Sequence, residues 1–384
     1  MRLSKLNFLT AGESHGPGLT GIIEGLPAGL EISEEDIRIE LARRQQGYGR
    51  GRRMAIESDY AHIHGGVRHG RTLGSPISLF IENKDWDHWK NRIMQIEAVE
   101  NKGQDISLPR PGHADFAGAK KFGFTDIRNV IERSSARETA MRVALGAIAK
   151  KFLEQCGIFI GSHVLKIGSA SLDGFPTILD ASTLNAAADT SQVRCLDDNA
   201  SKRMIAEIDM AKDNGDSLGG IFQVVATGVP IGLGSYTHLD KKLNTRISAM
   251  IMSINAIKAM SMGDGFLAAE LRGSEFHDEW DEANNLTKRK SNHAGGIEGG
   301  MSNGMPIVVN AIMKPIPTLT KPLQSVDMKS GELKLAHKER TDVVAVPAAA
   351  VIGESMLALV MADAILEKFG GDSMNELLER LPNQ

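Results

Sequence analysis

Cysteine is nearly missing from this chain: Cys156 and Cys195 are the only two among 384 residues. Two distant thiols offer neither a disulfide framework nor the paired spacing of a zinc site, which suits a reducing compartment. Aromatic side chains are scarce too, with three Trp and three Tyr, so little surface exists for stacking on nucleic-acid bases. Positive charge is not in excess. The formal net charge is −4, which argues against a nucleic-acid or anionic-membrane binder and confines any basic function to a local patch. The N-terminus has no apolar run or small-residue cleavage site of a secretory signal. The most apolar stretch, Val343 to Leu366, is interrupted by Pro347, Glu354 and Asp363 and reads as a buried helix, not a membrane span. No linker or low-complexity tract divides the chain. The expectation is a cytoplasmic protein with no membrane and no nucleic-acid partner.

What is present is a diffuse internal echo. Leu19-Thr-Gly-Ile-Ile-Glu-Gly-Leu-Pro-Ala-Gly-Leu30 resembles Leu218-Gly-Gly-Ile-Phe-Gln-Val-Val-Ala-Thr-Gly-Val-Pro-Ile-Gly-Leu233. Each copy is a β-like run closed by a Gly-hydrophobic-Pro-x-Gly-Leu turn. A helical pattern follows, from Ser33 to about Arg44 and from Asp240 to about Met260. Then come a Gly-rich loop and a strand pattern, Gly74 to Ile81 and Gly304 to Ile312. Last, Arg133-Ser134-Ser135 and Arg340-Thr341-Asp342 each open a long helix. The shared order of four elements predicts two related β-α-β-α halves, about 1–155 and 215–370, in one α+β body over 1–384. Functional loops are expected where the halves meet. Nucleotide-fingerprint crossovers are missing, which argues against a Rossmann sheet.

Several short stretches can carry chemistry. Gly12-Glu-Ser-His-Gly16 fits the G-x-S-x-G of a hydrolase elbow, but it lies at the chain start and runs into Pro17, Gly18 and Gly21, a strand and not a helix. Ser14 is therefore read as a turn residue. His15 on this turn is either a reachable functional imidazole or one bonded to a nearby carbonyl. His113, in Arg110-Pro-Gly-His-Ala-Asp115, carries the same two readings, with Asp115 able to orient its ring. Ala42 to Met54 packs five arginines among three glycines, suited to bidentate phosphate or carboxylate binding or to a solvated loop. At Arg133-Ser-Ser-Ala-Arg-Glu138 a capping box of Ser135 and Glu138 is expected to open an Ala-rich helix. Arg133 and Arg137 would then crowd its positive end, which favours a bound anion such as phosphate. Asn292 to Gly304 is a five-glycine loop leading through a strand into Lys314-Pro-Ile-Pro-Thr318. His62 and His64 share a strand face, but no matching ligand spacing accompanies them, and no metal is expected.

Together these stretches resemble the chorismate synthase family. The likeness rests on Gly12 to Gly16, Arg133 to Ala140, Arg340 to Asp342 with Gly353-Glu-Ser-Met356, and the segments around His113, Asn255, His293 and Lys314, in family order from about residue 7 to 368. Thr341 stands where the family more often has Ser or His. The stretch from about 170 to 214 is the least typical.

The resemblance implies a β-α-β sandwich with helices packed between antiparallel sheets. It implies a 1,4-anti elimination of phosphate from 5-enolpyruvylshikimate 3-phosphate to give chorismate. Reduced FMN would be required without net redox change. Flavin contacts would fall on Arg133, Ser134, Ser135, Asn255, Ala256, Gly299, Lys314, Pro315, Ile316, Pro317, Thr318 and Arg340. His15, His113 and Asp342 would be catalytic: His15 an acid beside the departing phosphate, His113 at the reduced flavin, Asp342 a proton relay. Arg44, Arg50 and Arg137 would meet substrate, or NADPH in the case of the first two. A homotetramer is expected. So is a monofunctional enzyme relying on an external flavin reductase, with NADPH as indirect reductant.

Overall fold

The computed structural model describes residues 3–50, 58–90, 93–98, 105–174, 178, 180–283, 285–339 and 342–382. Strands β1 (Asn7–Ala11), β2 (Gly18–Glu24), β3 (Ala61–Gly65) and β4 (Ile77–Glu82) form one antiparallel sheet in the order β1-β2-β4-β3. Strands β5 (Phe159–Ile167), β6 (Gly220–Thr227), β7 (Ile257–Met262) and β8 (Ile307–Met313) form a second in the order β5-β6-β8-β7, with the short strand Ala170–Ser171 beside β5. The two orders match strand for strand. Alternation explains the inward faces. Along β8, Ile307, Val309, Ala311 and Met313 are buried while the residues between them are half-buried.

Helices fill the space between the sheets, giving an α+β sandwich. Helix α1 (Glu34–Gln45) starts at a true capping box of Ser33 and Asp36. Further along are α2 (Asp115–Phe122), α3 (Arg128–Ser134), α4 (Thr139–Gln155), α5 (Leu243–Met252) and α6 (Val346–Phe369). Helices α1 and α4 serve the first sheet, α5 and α6 the second, and α4 packs along α6. That crossing is close: a Cβ on Gly146 would stand 2.3 Å from the Cβ of Ser355, so only glycine fits. Every residue from Val346 to Leu366 is buried, because α6 has neighbours all round; this is why it is apolar on every face. It is the one described helix long and apolar enough to cross a membrane, and the chain's own core covers it.

Glu354, in the middle of α6, is fully buried. Its carboxylate accepts from Arg43 Nη2 (2.8 Å), Lys150 Nζ (2.7 Å), Ser162 Oγ (2.5 Å), Asn185 Nδ2 (3.1 Å) and Arg194 Nη2 (3.2 Å). Arg43 and Lys150 also reach Glu40, and Arg43 reaches Asp189. Burial alone would raise the Glu354 pKa, but Arg43, Lys150 and Arg194 outweigh it and hold the carboxyl far below its usual range.

Two local expectations are corrected. The helix expected from Asp240 to about Met260 ends at Met252, and Ile257 to Met262 is strand; Ala256, at φ +67°, breaks the helical path. The capping box expected at Ser135 and Glu138 does not form. Ser135 caps a short 3-10 turn by accepting from Arg137 N–H, and Glu138 pairs with Arg142 instead.

Two outcomes follow for Glu354. In Glu354→Ala, three cations lose their buried carboxylate, and urea unfolding should show a loss of about 3–5 kcal/mol. The carboxyl's folded pKa is depressed, so its stabilisation is complete above the unfolded pKa of about 4.5 and is lost as pH falls below it. The acid limb of stability against pH should accordingly be shallower in Glu354→Gln than in the parent chain.

Candidate active site

Because Arg43 turns inward to Glu354, its neighbour Arg44 leaves the last turn of α1 on another side. Arg44 donates to Thr139 Oγ1 (2.9 Å) and to the Ala136 carbonyl (2.9 Å). Its Nη1 lies 3.8 Å from Asp59. Arg137 donates to Asp59 Oδ1 (2.5 Å) and to Asn83 Oδ1 (3.1 Å). Arg50 Nε sits 3.2 Å from Asp342 Oδ2. The loop between is fixed by backbone: Val343 N–H donates to Gly49 O (2.9 Å), and Leu218 N–H donates to Val343 O (2.9 Å). Gly49 has φ +79° and a Cβ there would stand 2.7 Å from Ile208, so glycine is required. Burial, and the fields of Arg50 and Arg137 against those of Asp59 and Asp342, lower the Arg44 guanidinium to about 10. Three arginines thus face two carboxylates in a poorly solvated place, which favours a polyanion.

His15 lies at the end of the Gly12–Gly16 turn. Its Nδ1 is 3.0 Å from Glu132 Oε1 and its backbone N–H donates to Glu132 Oε2 (2.8 Å). Its ring meets Trp89 edge to face at 4.8 Å. Ser14 is buried, and its N–H donates to the Glu132 carbonyl (3.1 Å) while its hydroxyl accepts from Ser135 Oγ (3.2 Å). Ser14 is thus a buried member of the turn, tied to Ser135 and Glu132.

The second histidine belongs to a tight group with arginine and aspartate. His113 Nδ1 is 2.6 Å from Asp115 Oδ1, and Arg110 grips Asp115 through Nε (2.8 Å) and Nη2 (3.0 Å). Burial would raise the Asp115 pKa, but His113 and Arg110 prevail and hold it well below the carboxylate range. Arg110 Nη1 also donates to Thr318 Oγ1 (3.0 Å), and Lys314 Nζ donates to the Gly112 carbonyl. Burial, and then the like charge of Lys258, lower the Lys314 pKa. Lys314 N–H donates to Ala256 O (3.0 Å), Ser217 Oγ to Ile316 O (2.6 Å), and Asn255 Nδ2 to Ser134 O (3.1 Å).

A continuous path therefore joins His113, Lys314 to Thr318, Asn255 and Ala256, Ser134 and Ser135, and His15. Arg137 follows on the same chain segment and reaches Arg44 through Asp59, while Arg50 and Asp342 pair beside the Gly49–Val343 contact. Pro315 and Pro317 lie within the joined stretch. Three expected residues stand apart. Arg133 is exposed, ends α3 and does not begin a helix, and donates to the carbonyls of Thr10 and Gly12, both at 2.9 Å. A cation at a helix C-terminus is favourable, so the phosphate argument built on its position fails. Gly299, at the tip of a hairpin over Ile297–Ser302, makes no hydrogen bond to the set among the described residues. Arg340 lies outside the described residues. His62 and His64 do share the exposed face of β3, where His62 approaches Glu34 (3.8 Å) and His64 stacks on Phe80. Among the described residues no group of three His, Cys, Asp or Glu is placed to hold a metal.

Glu132, Asp59, Asn83 and Trp89 were not singled out from the sequence. Glu132 directly precedes the Arg133-Ser134-Ser135 stretch and was legible only as a helical acid. The other three carry no spacing signal.

If the arginine cluster is an anion site, inorganic phosphate should raise the melting temperature progressively, with a stabilisation of about 1.4 kcal/mol at ten times its Kd that grows with the logarithm of concentration. Arg137→Gln should weaken this phosphate affinity by about tenfold or more, read by thermal shift against phosphate concentration.

Residues 6–366 match the family model described as chorismate synthase. Proteins named chorismate synthase from Bacillus velezensis and Bacillus subtilis are each 54% identical over 387 residues, covering 98% of this chain and 98% of theirs. One from Listeria welshimeri is 54% identical over 377 residues, covering 97% of this chain and 96% of its own. A solved structure, titled as the crystal structure of chorismate synthase, superposes with a TM-score of 0.78 at 44% identity, covering 98% of this chain and 96% of that one. With the same sandwich, and a match running from β1 into α6, the chain belongs to the chorismate synthase family.

Proposed function

We propose that the chain, as a phosphate-eliminating lyase, converts 5-enolpyruvylshikimate 3-phosphate to chorismate with reduced FMN, in the cleft between its two sheets' loops. The observation that carries this reading is the single path from His113 and Lys314 through Ser135 to His15 and the Arg44–Arg137 cluster. One carbon–oxygen and one carbon–hydrogen bond break, and phosphate leaves with no net redox change.

The residues fit a flavin on their own chemistry. Among the described residues, Asn255 Oδ1 is buried with no hydrogen-bond partner, an acceptor suited to an N–H of an isoalloxazine ring. Lys314 and Lys258 supply cations for its phosphate, with Ser134, Ser135, Pro315, Ile316, Pro317 and Thr318 around them. Arg133, Gly299 and Arg340 complete the proposed contacts. When bound, the reduced flavin supplies the electron density that helps phosphate depart. The protein does the rest. Arg44, Arg50 and Arg137 hold a substrate bearing two carboxylates and a phosphate, and stabilise the charge that develops on the leaving group. His15 gives the departing phosphate a proton. His113, oriented by Asp115, steadies the negative reduced cofactor, and Asp342 passes on the proton taken from the ring. NADPH acts through an outside reductase, the enzyme is a cytoplasmic homotetramer, and the matched halves about 1–155 and 215–370 are two copies of one unit in a single domain.

Anaerobic incubation with dithionite-reduced FMN and the enolpyruvyl phosphate, followed by chorismate absorbance, should give product. No product with flavin present would overturn the assignment; product without flavin would overturn the cofactor. His15→Ala and Asp342→Ala should fold and bind flavin yet lose turnover by roughly 10²- to 10⁴-fold. Wild-type turnover in either would remove the role given to that residue.

A further inference from the structure

Among the described residues, Glu132 is the one carboxylate that grips both the ring and the backbone of His15. Its side chain is 2% exposed. Both oxygens face Nδ1 of the imidazole (3.0 and 3.1 Å), the second also accepts the His15 N–H, and the Glu132 carbonyl accepts from Ser14. The last turn of α3 thus clamps the Ser14–His15 turn through main chain and side chain together. Trp89 fixes the ring plane from the side. Nε2 has no hydrogen-bond partner among the described residues. The acid is itself held: Arg128 Nη1 reaches Glu132 Oε1 (3.2 Å) and Glu339 Oε1 (2.9 Å), and Glu339 meets His337 (2.9 Å).

We infer that Glu132 is a positioning residue that keeps neutral His15 as the Nδ1–H tautomer, leaving Nε2 as the one nitrogen that exchanges a proton with substrate. The inference rests on the reading of His15 as the acid beside phosphate. A carboxylate at Nδ1 accepts only, so the ring must place its proton there. A free neutral imidazole favours the opposite tautomer. Glu132 stays ionised to do this: burial would raise its pKa, but the bonds from His15 and the charge of Arg128 outweigh burial and lower it. A purely structural duty toward Arg128 does not account for the geometry, since Glu339 already pairs that guanidinium at the shorter distance. Arg128 divided between two carboxylates leaves one negative charge over, directed at the imidazole. Protonated His15 would then donate through Nδ1 to Glu132 and through Nε2 to a phosphate oxygen, and after transfer it returns to the same tautomer.

The test is solid-state 15N NMR of the full chain labelled at histidine, without substrate or flavin, at a pH where imidazoles are neutral. His15 is assigned by difference against His15→Gln. The wild-type signal should show Nδ1 protonated and Nε2 bare. Glu132→Gln should shift the proton toward Nε2 and lower kcat by roughly 10²-fold or more, with KM changed by less than about threefold. A wild-type His15 with its proton on Nε2, or a Glu132→Gln protein with the wild-type tautomer, overturns the inference. If that variant does not fold, the wild-type spectrum decides alone. Full turnover in His15→Ala would instead remove the catalytic reading, a separate result because the tautomer is measured with no reaction running.

Discussion

The carboxylate of Glu354, sunk among Arg43, Lys150 and Arg194, is the interaction on which the site's geometry depends. It joins α6 to α1, α4 and β5 at one point. A buried charge set adds little net stability over a packed apolar equivalent, but breaking it is costly. Its consequence here is orientation. With Arg43 locked inward, the chain has one way to leave α1, and Arg44 is delivered to Thr139 and Asp59. From there the glycine loop pairs with Val343, which brings Arg50 beside Asp342. A hydrophobic replacement of Glu354 would keep the core but lose this directional constraint.

The two histidines are held by the same device. Each presents Nδ1 to a buried carboxylate, Glu132 or Asp115, and each carboxylate is gripped by an arginine, Arg128 or Arg110. Such carboxylates remain ionised in a dry place because their partners are ionic, and an oriented imidazole costs no reorganisation when charge shifts nearby. Asn255, from a loop of the second sheet, reaches Ser134 beside the His15 turn.

Much of the fold was legible in the sequence because it depends on local pattern. The alternation of β2 and β8, the cap at Ser33 and the long, mostly apolar run of α6 are each written in consecutive residues. Errors arose where tertiary contacts override local preference. Ser135 and Glu138 have capping-box spacing, yet Glu138 pairs with Arg142 and Ser135 closes a tighter turn. Arg133 looked like a helix start only because a short helix, α3, ends where the Ala-rich one was expected to open. Glu132 and Asp59 were illegible for another reason: each matters through a partner 117 or 78 residues away, and no periodicity encodes such a meeting.

Ala256 shows how strongly the site overrides local preference. A left-handed conformation at a non-glycine residue costs about 1–2 kcal/mol, and here φ is +67°. The conformation persists because both sides of the residue are fastened. Asn255 donates to Ser134, and the Ala256 carbonyl accepts from Lys314. Relaxing Ala256 to a helical angle would extend α5 toward the path the sequence pattern suggests, and it would carry Asn255 away from Ser134 and release Lys314 from its register beside Gly112. The strain is thus tied to the two contacts that join the second sheet's loops to the His15 turn. A helix stopped early, at the cost of one strained residue, lets the loop before β7 reach both Ser134 and Lys314.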